Sequence, residues 1–525
     1  MLAGQLLQSR GSPTRAAIEF GDDEVWTYEE LDGLANRFAR FFTERGLAVG
    51  DRVSLVVGND PLLVGAYFGA FRAGVIANPI NTKLTAKELA YVIGHAGSRM
   101  VLVSADLCGT LGDALPLLDT APQVVVLRPS QAVPFAAASS SDVLSLDASP
   151  LTSGGPSGGD GALLIYTSGT TGNPKGVLLT HDNVVAGVHI VYKAYEVQPG
   201  EKTLCVMPLF HTNGLMFSTL TFLFGGGTVA LQAKFSATRF WQQCAQHQVS
   251  SSSASPTILQ MLLAHEAGAP AYGQTGLRYL KVASAPTPVD LAERFEARFG
   301  SGLLLETYGL TETTAMTTMN PLHGRRRFGS IGRVLPPQEL GILNDAGQPT
   351  PPGEVGEICV QGPTVMKGYF RDPESTRAAF IGDWFHTGDM ATQDEDGFVT
   401  IVGRKKEMII RGGENISPLE IENVAMLHPK VKEAVAVGLS DPLWGEVVGL
   451  CVVAKEPVTR EELMGFCRER LSDFKLPHHI VFTDELPRNA MGKVVRKLAA
   501  RKFALASAEA ASPSVKIPLH GAAAV

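Results

Sequence analysis

No two cysteines in this sequence sit close together. The six of them, Cys108, Cys205, Cys244, Cys359, Cys451 and Cys467, show no CxxC spacing and no His/Cys cluster. That argues against a disulfide frame or a zinc site and for free or buried thiols in a reducing compartment. No run of Lys and Arg stands out. A balance of 45 basic against 52 acidic residues, net −7, gives no nucleic-acid footprint. No apolar stretch is both long and unbroken. The most apolar window, Gly214 to Leu231, contains Gly225, Gly226 and Gly227 and several Ser and Thr. It reads as a buried helix, a glycine turn and a strand, not a membrane span. The first residues lack the charged start and apolar core of a signal peptide, so a cytoplasmic location is expected. There is no repeat of solenoid period, and no Ser/His/Asp arrangement demands a nucleophile.

What is present is a chain of 525 residues, 45% apolar and 18% charged, long enough for two to four domains. Short strands alternate with helices. Thr27 and Glu30 have capping-box spacing ahead of a helix through Phe42, and Asn59-Asp60-Pro61 opens another. Asp51–Val57, Gly74–Pro79 and Met100–Val103 read as strands of an α/β sheet, expected to be parallel. Residues 129–160 shift to Ala, Ser, Pro and Gly, as in a surface excursion.

That excursion leads to Tyr166-Thr-Ser-Gly-Thr-Thr-Gly-Asn-Pro-Lys175-Gly176, in which seven of eleven residues are Gly, Ser or Thr. Apolar runs flank it on both sides. Gly169 and Gly172 leave room for an anion to approach backbone N–H groups. Thr167, Ser168, Thr170 and Thr171 add hydroxyl donors and Lys175 a positive charge, which together make a phosphate cradle. The pattern is not GxxxxGK(S/T), because no Gly precedes the Lys and Gly176 follows it, so a Walker-type site is not expected.

Further along come Pro208-Leu-Phe-His211-Thr-Asn-Gly214, the serine-rich Val249–Thr257, Leu280-Lys-Val-Ala-Ser284-Ala285-Pro286, and Leu305-Glu-Thr-Tyr308-Gly309-Leu-Thr311-Glu312. Trp384-Phe-His-Thr-Gly-Asp389, Gly403-Arg404-Lys405-Lys406, Arg411-Gly412-Gly413 and Ala490-Met-Gly-Lys493 follow. The Asp389 carboxylate has two acceptor oxygens matched to a diol. Ser417, Pro418 and Glu420 are the cap, first and third positions of a late helix.

In this order and spacing, these stretches resemble the adenylate-forming superfamily: acyl- and aryl-CoA synthetases, peptide-synthetase adenylation domains and luciferases. The resemblance covers residues 10–503 and is nearest to the CoA ligases that include the oxalate- and fatty-acid types. It implies a large N-terminal domain of α/β sheets with a small β subdomain over 1–403, a hinge at 404–407 and a small mobile α+β domain over 408–503. Residues 504–525 are expected to be a disordered tail.

It also implies roles. The 167–175 loop orients ATP phosphates, Ser284 and Ala285 lie against adenine, Tyr308 stacks on it, and Thr311 meets phosphate. Glu312 holds Mg²⁺, Asp389 the ribose, with Arg404 beside it. The catalytic set is Lys175, Thr311, Glu312 and Lys493. His211, Gly214, Ser253, Ser284 and Gly309 line the acid pocket. The hinge and CoA tunnel involve Lys406, Gly412, Gly413, Trp444 and Lys475.

The implied cofactors are ATP, Mg²⁺ and CoA, and the implied reaction is acid to acyl-AMP to acyl-CoA. Transfer to a carrier-protein thiol or an amine is the alternative, and a non-catalytic or kinase-like nucleotide binder is the third reading. Phe474-Lys475-Leu-Pro-His478-His479 is less basic than the run some relatives use to grip CoA phosphates. The acid itself stays open. The serines of 250–255 read either as drift on a buried strand or as a roomier, more polar pocket. With no Arg in Met207–Phe224, Val249–Gln260 or Ala283–Thr287, one carboxylate is expected, and oxalate is not ruled out. A homodimer and a separate carrier protein are likewise open.

Overall fold

The computed structural model describes residues 1–8, 12–129, 133, 135–152, 155–167, 174–265, 268–271, 273–314, 316–488 and 494–511, with 504–511 as backbone only. Helix starts follow the local signals. Thr27 and Glu30 close a capping box on Tyr28–Glu44, Asp60 caps Pro61–Ala73, and Ser417 caps Pro418–Met426. The first two helices are apolar on facing sides; Leu31, Leu34, Ala35, Phe38 and Phe42 recur at helical spacing and are buried.

Among the described residues the strands form four sheets. The largest runs from Arg333–Val334 and Thr318–Met319 through Leu304–Tyr308, Tyr279–Val282, Ser251–Ala254, Lys202–Cys205 and Thr228–Leu231 to Ala16–Phe20 and Glu24–Thr27. Its central ladders are parallel, and antiparallel pairs close both edges. The second carries Gly368–Tyr369, Lys175–Thr180, Gly161–Thr167, Ile76–Pro79, Arg52–Val56, Met100–Ser104, Gln123–Leu127 and Ala138–Ser139. It too is parallel except at the end that holds Lys175. A third, smaller sheet is built on Glu339–Leu343, Gly356–Gln361 and Trp384–Gln393, and a fourth on Val431–Asp441 and Gly445–Ala454.

The chain divides into two compact units, Met1–Thr387 with Ala391–Ile401, and Gly388–Met390 with Val402 onward. In the larger unit one apolar cluster joins Phe38, Phe42, Phe68, Phe71, Leu163, Val188 and Phe222. In the smaller, Ile409, Ile416, Ile421, Leu450, Val452 and Leu463 form the core.

The Gly214–Leu231 window is a helix, a turn and a strand, as its glycines suggest. Its first part, however, winds as a π-helix over Asn213–Leu220. No helix among the described residues is long and apolar enough to cross a membrane. None of the six cysteines is in a disulfide, and all are buried. One expectation needs correction. The helix Arg496–Ala511 continues into the stretch read as a disordered tail from residue 504, because its Ala-rich sequence has high helix propensity.

Candidate active site

Lys175 opens a strand that pairs with Gly161–Thr167 on one side and Gly368–Tyr369 on the other, in register Thr167 to Lys175 and Tyr369 to Val177. Its ammonium donates to Ser375 Oγ at 2.6 Å and lies 5.0 Å from the centre of the Tyr369 ring. The Tyr369 hydroxyl donates to Glu312 Oε1 at 3.0 Å. Glu312 sits in a single 3₁₀ turn, Thr311–Thr313, and its carbonyl accepts the Met366 N–H at 2.8 Å. Lys175 and Glu312, far apart in sequence, thus meet at one phenol.

Thr167 ends its strand, while Ser168, Gly169, Thr170, Thr171 and Gly172 lie outside the described residues. Their neighbours on both sides are held by one helix, Ala86–Ala96. His95 Nδ1 is 2.7 Å from the Tyr166 hydroxyl, and the Tyr91 hydroxyl donates to the Pro174 carbonyl at 3.4 Å. Burial raises the Tyr166 phenol above its ordinary range and lowers the His95 imidazole below its own.

Strands Tyr279–Val282 and Leu304–Tyr308 are parallel neighbours, with Val282 opposite Glu306. Parallel strands end at the same sheet edge, so the Ser284-Ala285 turn and Gly309 emerge together there, all exposed. Ser284 has φ +77°, a left-handed conformation costly for any residue with a Cβ and common where a ligand site dictates the backbone. Tyr308 is buried against Ile342, Ile358, Val360 and Val399.

His211 and Gly214 flank the start of the π-helix. A Cβ on Gly214 would stand 2.4 Å from the Pro208 carbonyl oxygen, so only glycine fits this close approach. Ser253 is fully buried, and its hydroxyl is 3.0 Å from that of Ser218 on the π-helix. Ser252 donates to the Leu204 carbonyl and Ser251 to the Thr203 hydroxyl, so this serine strand meets its hydrogen-bonding needs from neighbours.

Sequence reasoning passed over Lys281, which pairs with Ser253 in register. It is 1% exposed and its Nζ has no hydrogen-bond partner among the described residues. The rings of Tyr195 and Phe222 lie 4.9 and 5.2 Å away. Burial pushes its pKa down to about 7. The argument from absent arginines did not count this buried amine, two positions before Ala283.

In the smaller unit, Arg404 Nε is 2.6 Å from Asp389 Oδ1; the carboxylate is buried and the guanidinium half-exposed. Gly412 (φ +59°) and Gly413 (φ +91°) turn in the left-handed region. The Gly412 N–H donates to the Trp444 carbonyl at 2.8 Å, and the Arg411 guanidinium lies 4.9 Å from the Trp444 ring centre. Lys475 is drawn to Glu420 at 2.7 Å. Lys406 is exposed in the 3₁₀ turn Lys405–Glu407. Lys493 falls outside the described residues; Arg488 and Val494, the described residues on either side, form an antiparallel bridge. Tyr369 and Ser375 were not legible as site residues, since a tyrosine ending a short strand carries no chemical signal of its own.

The AMP-binding enzyme family matches residues 7–370, and the AMP-binding enzyme C-terminal domain residues 420–493. The chain is 35% identical to an oxalate–CoA ligase of Arabidopsis thaliana, covering 94% of this chain and 96% of that protein. It is 39% identical to a sulfoacetate–CoA ligase of Cupriavidus necator, covering 90% and 91%. ATP-bound MatB from Rhodopseudomonas palustris superposes with a TM-score of 0.87 at 30% identity, covering 96% and 99%.

Proposed function

The chain belongs to the AMP-binding enzyme family, and we propose how its residues divide the work of an AMP-forming acid–CoA ligase. Such an enzyme activates a carboxylic acid as acyl-AMP with loss of pyrophosphate, then passes the acyl group to the thiol of CoA and releases AMP. A carboxylate is a poor acyl donor because its leaving group would be oxide; adenylation replaces that with AMP. The protein's task is to bring two mutually repelling anions together and neutralise the charge that builds up.

Lys175 and the 167–172 segment take the β- and γ-phosphates, with Thr311 beside them. Tyr308, Ser284 and Ala285 receive the adenine, and Asp389 with Arg404 the ribose. Lys493 brings a point charge to the α-phosphate and the attacking carboxylate. His211, Gly214, Ser253, Ser284 and Gly309 surround the acid. A hinge at 404–407, including Lys406, lets the 408–503 domain exchange Lys493 for the tunnel side formed by Gly412, Gly413, Trp444 and Lys475.

Glu312 fits a nucleotide-borne Mg²⁺. A hard cation carried by a nucleotide would take a carboxylate such as Glu312, few other protein ligands and several waters. Among the described residues no cluster of three or more His, Cys, Asp or Glu could hold a metal alone. When bound, the cation supplies positive charge to the phosphates.

The observation that carries this reading is the meeting of Lys175 and Glu312 at Tyr369. The CoA-ligase relatives favour CoA over a carrier thiol or an amine as acceptor. The test is a panel of acids, including oxalate, sulfoacetate, fatty and aromatic acids, scored for AMP and pyrophosphate release with and without CoA. Release of ADP, or no AMP with any acid, overturns the reading.

A further inference from the structure

We propose that Tyr369 is a positioning residue with two separable tasks: its hydroxyl orients the Glu312 carboxylate toward the cation that accompanies ATP, and its ring holds Lys175 at the phosphate site. The inference rests on the ATP-site reading above and adds a residue to it.

Tyr369 is itself fixed from several directions. It lies in the ladder opposite Val177, and its N–H donates to Thr376 Oγ1 at 2.9 Å. The next residue, Phe370, donates its N–H to the Gly176 carbonyl at 2.7 Å. Gly368 before it has φ +148°, and a Cβ there would stand 2.9 Å from Thr376 Cγ2. The same segment also fixes the Glu312 backbone through the Met366 N–H. Carboxylate and phenol are therefore mounted on one framework.

A glutamate side chain has three torsions. A hydroxyl donated to Oε1 removes most of that freedom and sets which way the carboxylate faces. The ring acts through a different contact. Lys175 lies over its face while donating to Ser375, so the flexible stem is ordered close to the strand before nucleotide arrives and loses less freedom on binding phosphate. One side chain thus serves an anion and a cation of the same site, through chemically distinct parts.

The tasks separate by substitution. Tyr369→Phe keeps the ring and loses the hydroxyl; Tyr369→Leu loses both. The probes are Mn²⁺, titrated by its electron paramagnetic resonance signal in the presence of a non-hydrolysable ATP analogue, and the analogue alone by calorimetry in chelator. Tyr369→Phe is expected to weaken Mn²⁺ binding by about tenfold and to leave metal-free nucleotide affinity unchanged. Tyr369→Leu is expected to weaken both. In a Glu312→Gln background, Tyr369→Phe should cause no further loss of Mn²⁺ affinity, a coupling that a merely structural tyrosine would not show.

Wild-type Mn²⁺ affinity in Tyr369→Phe, or full additivity with Glu312→Gln, overturns the proposal while leaving the ATP site standing. Failure of the wild-type protein to bind the analogue at all overturns both, and is distinguishable because it precedes any variant.

Discussion

Lys175 and Lys406 are both site candidates, and the two units treat them differently. Lys175 extends from a paired strand, bonded to Ser375 and lying against the Tyr369 ring. Lys406 stands exposed on a one-turn helix. The contrast extends to their surroundings. In the larger unit Glu312 is tied through both backbone and side chain. In the smaller unit Trp444 is 45% exposed, and among the described residues beyond its chain neighbours nothing lies within 4 Å of where a Cβ on Gly413 would be. Groups meant to hold a phosphate chain benefit from a rigid mount, since any reorganisation adds to the barrier. Groups meant to act at only one stage of a reaction are better placed on turns.

The smaller unit's exposed site rests on a firmly tied core, and breaking that tie should have the largest effect. Arg496 is bonded to both oxygens of the buried Glu422 and, at 2.8 Å, to Glu407. Burial raises the Glu422 carboxyl and Arg496 holds it down. Arg496→Met leaves that carboxylate buried and unpaired, and is expected to cost about 3–5 kcal/mol in this unit. Denaturant unfolding would measure it, and Arg496→Met with Glu422→Leu should recover most of the loss.

Next in size, Lys493→Ala should lower adenylate formation by about 10²–10³-fold and spare thioester formation from preformed acyl-AMP. Pyrophosphate–ATP exchange reads the first half-reaction and acyl-CoA release the second. Equal losses would mean that the smaller unit does not divide its roles by stage. Trp444→Ala should raise KM for CoA by about tenfold with KM for ATP unchanged; a rise in both would erase the distinction between the units.

The smallest effect concerns two buried groups on opposite faces of the large sheet. Lys281 titrates near 7 when folded and near 10.4 unfolded. Across that interval the unfolded chain binds more protons, so stability rises with pH. Glu306, raised by burial to about 8 from about 4.3 when unfolded, acts in reverse, and stability falls as pH climbs between those values. Lys281→Met should flatten the upper limb of a melting-temperature profile and Glu306→Gln the lower, each by roughly 3 °C or more.

Much of the frame was legible in the residues. Thr27 with Glu30, Asp60 with Pro61 and Ser417 with Pro418 announce their helices, since a cap needs only neighbours three positions away. The family was legible as well, because Gly, Ser, Thr and Lys in one short stretch have few uses. The winding of Asn213–Leu220 as a π-helix was not, as π and α turns share the same apolar composition. Nor was Lys281, since a lysine in a strand gives no hint that both faces of its sheet are covered.

The sequence by itself determined which chemistry the chain carries and where its helices begin, because both are written in short local patterns. Only the tertiary structure decided that the Glu312 carboxylate and the Lys175 ammonium share Tyr369. That meeting joins residues 57 positions apart through one contact, and the Lys175–Ser375 bond joins residues 200 apart. Contacts at such separations arise when strands pair, and strand pairing is decided by the burial of whole faces, which no short stretch of sequence contains.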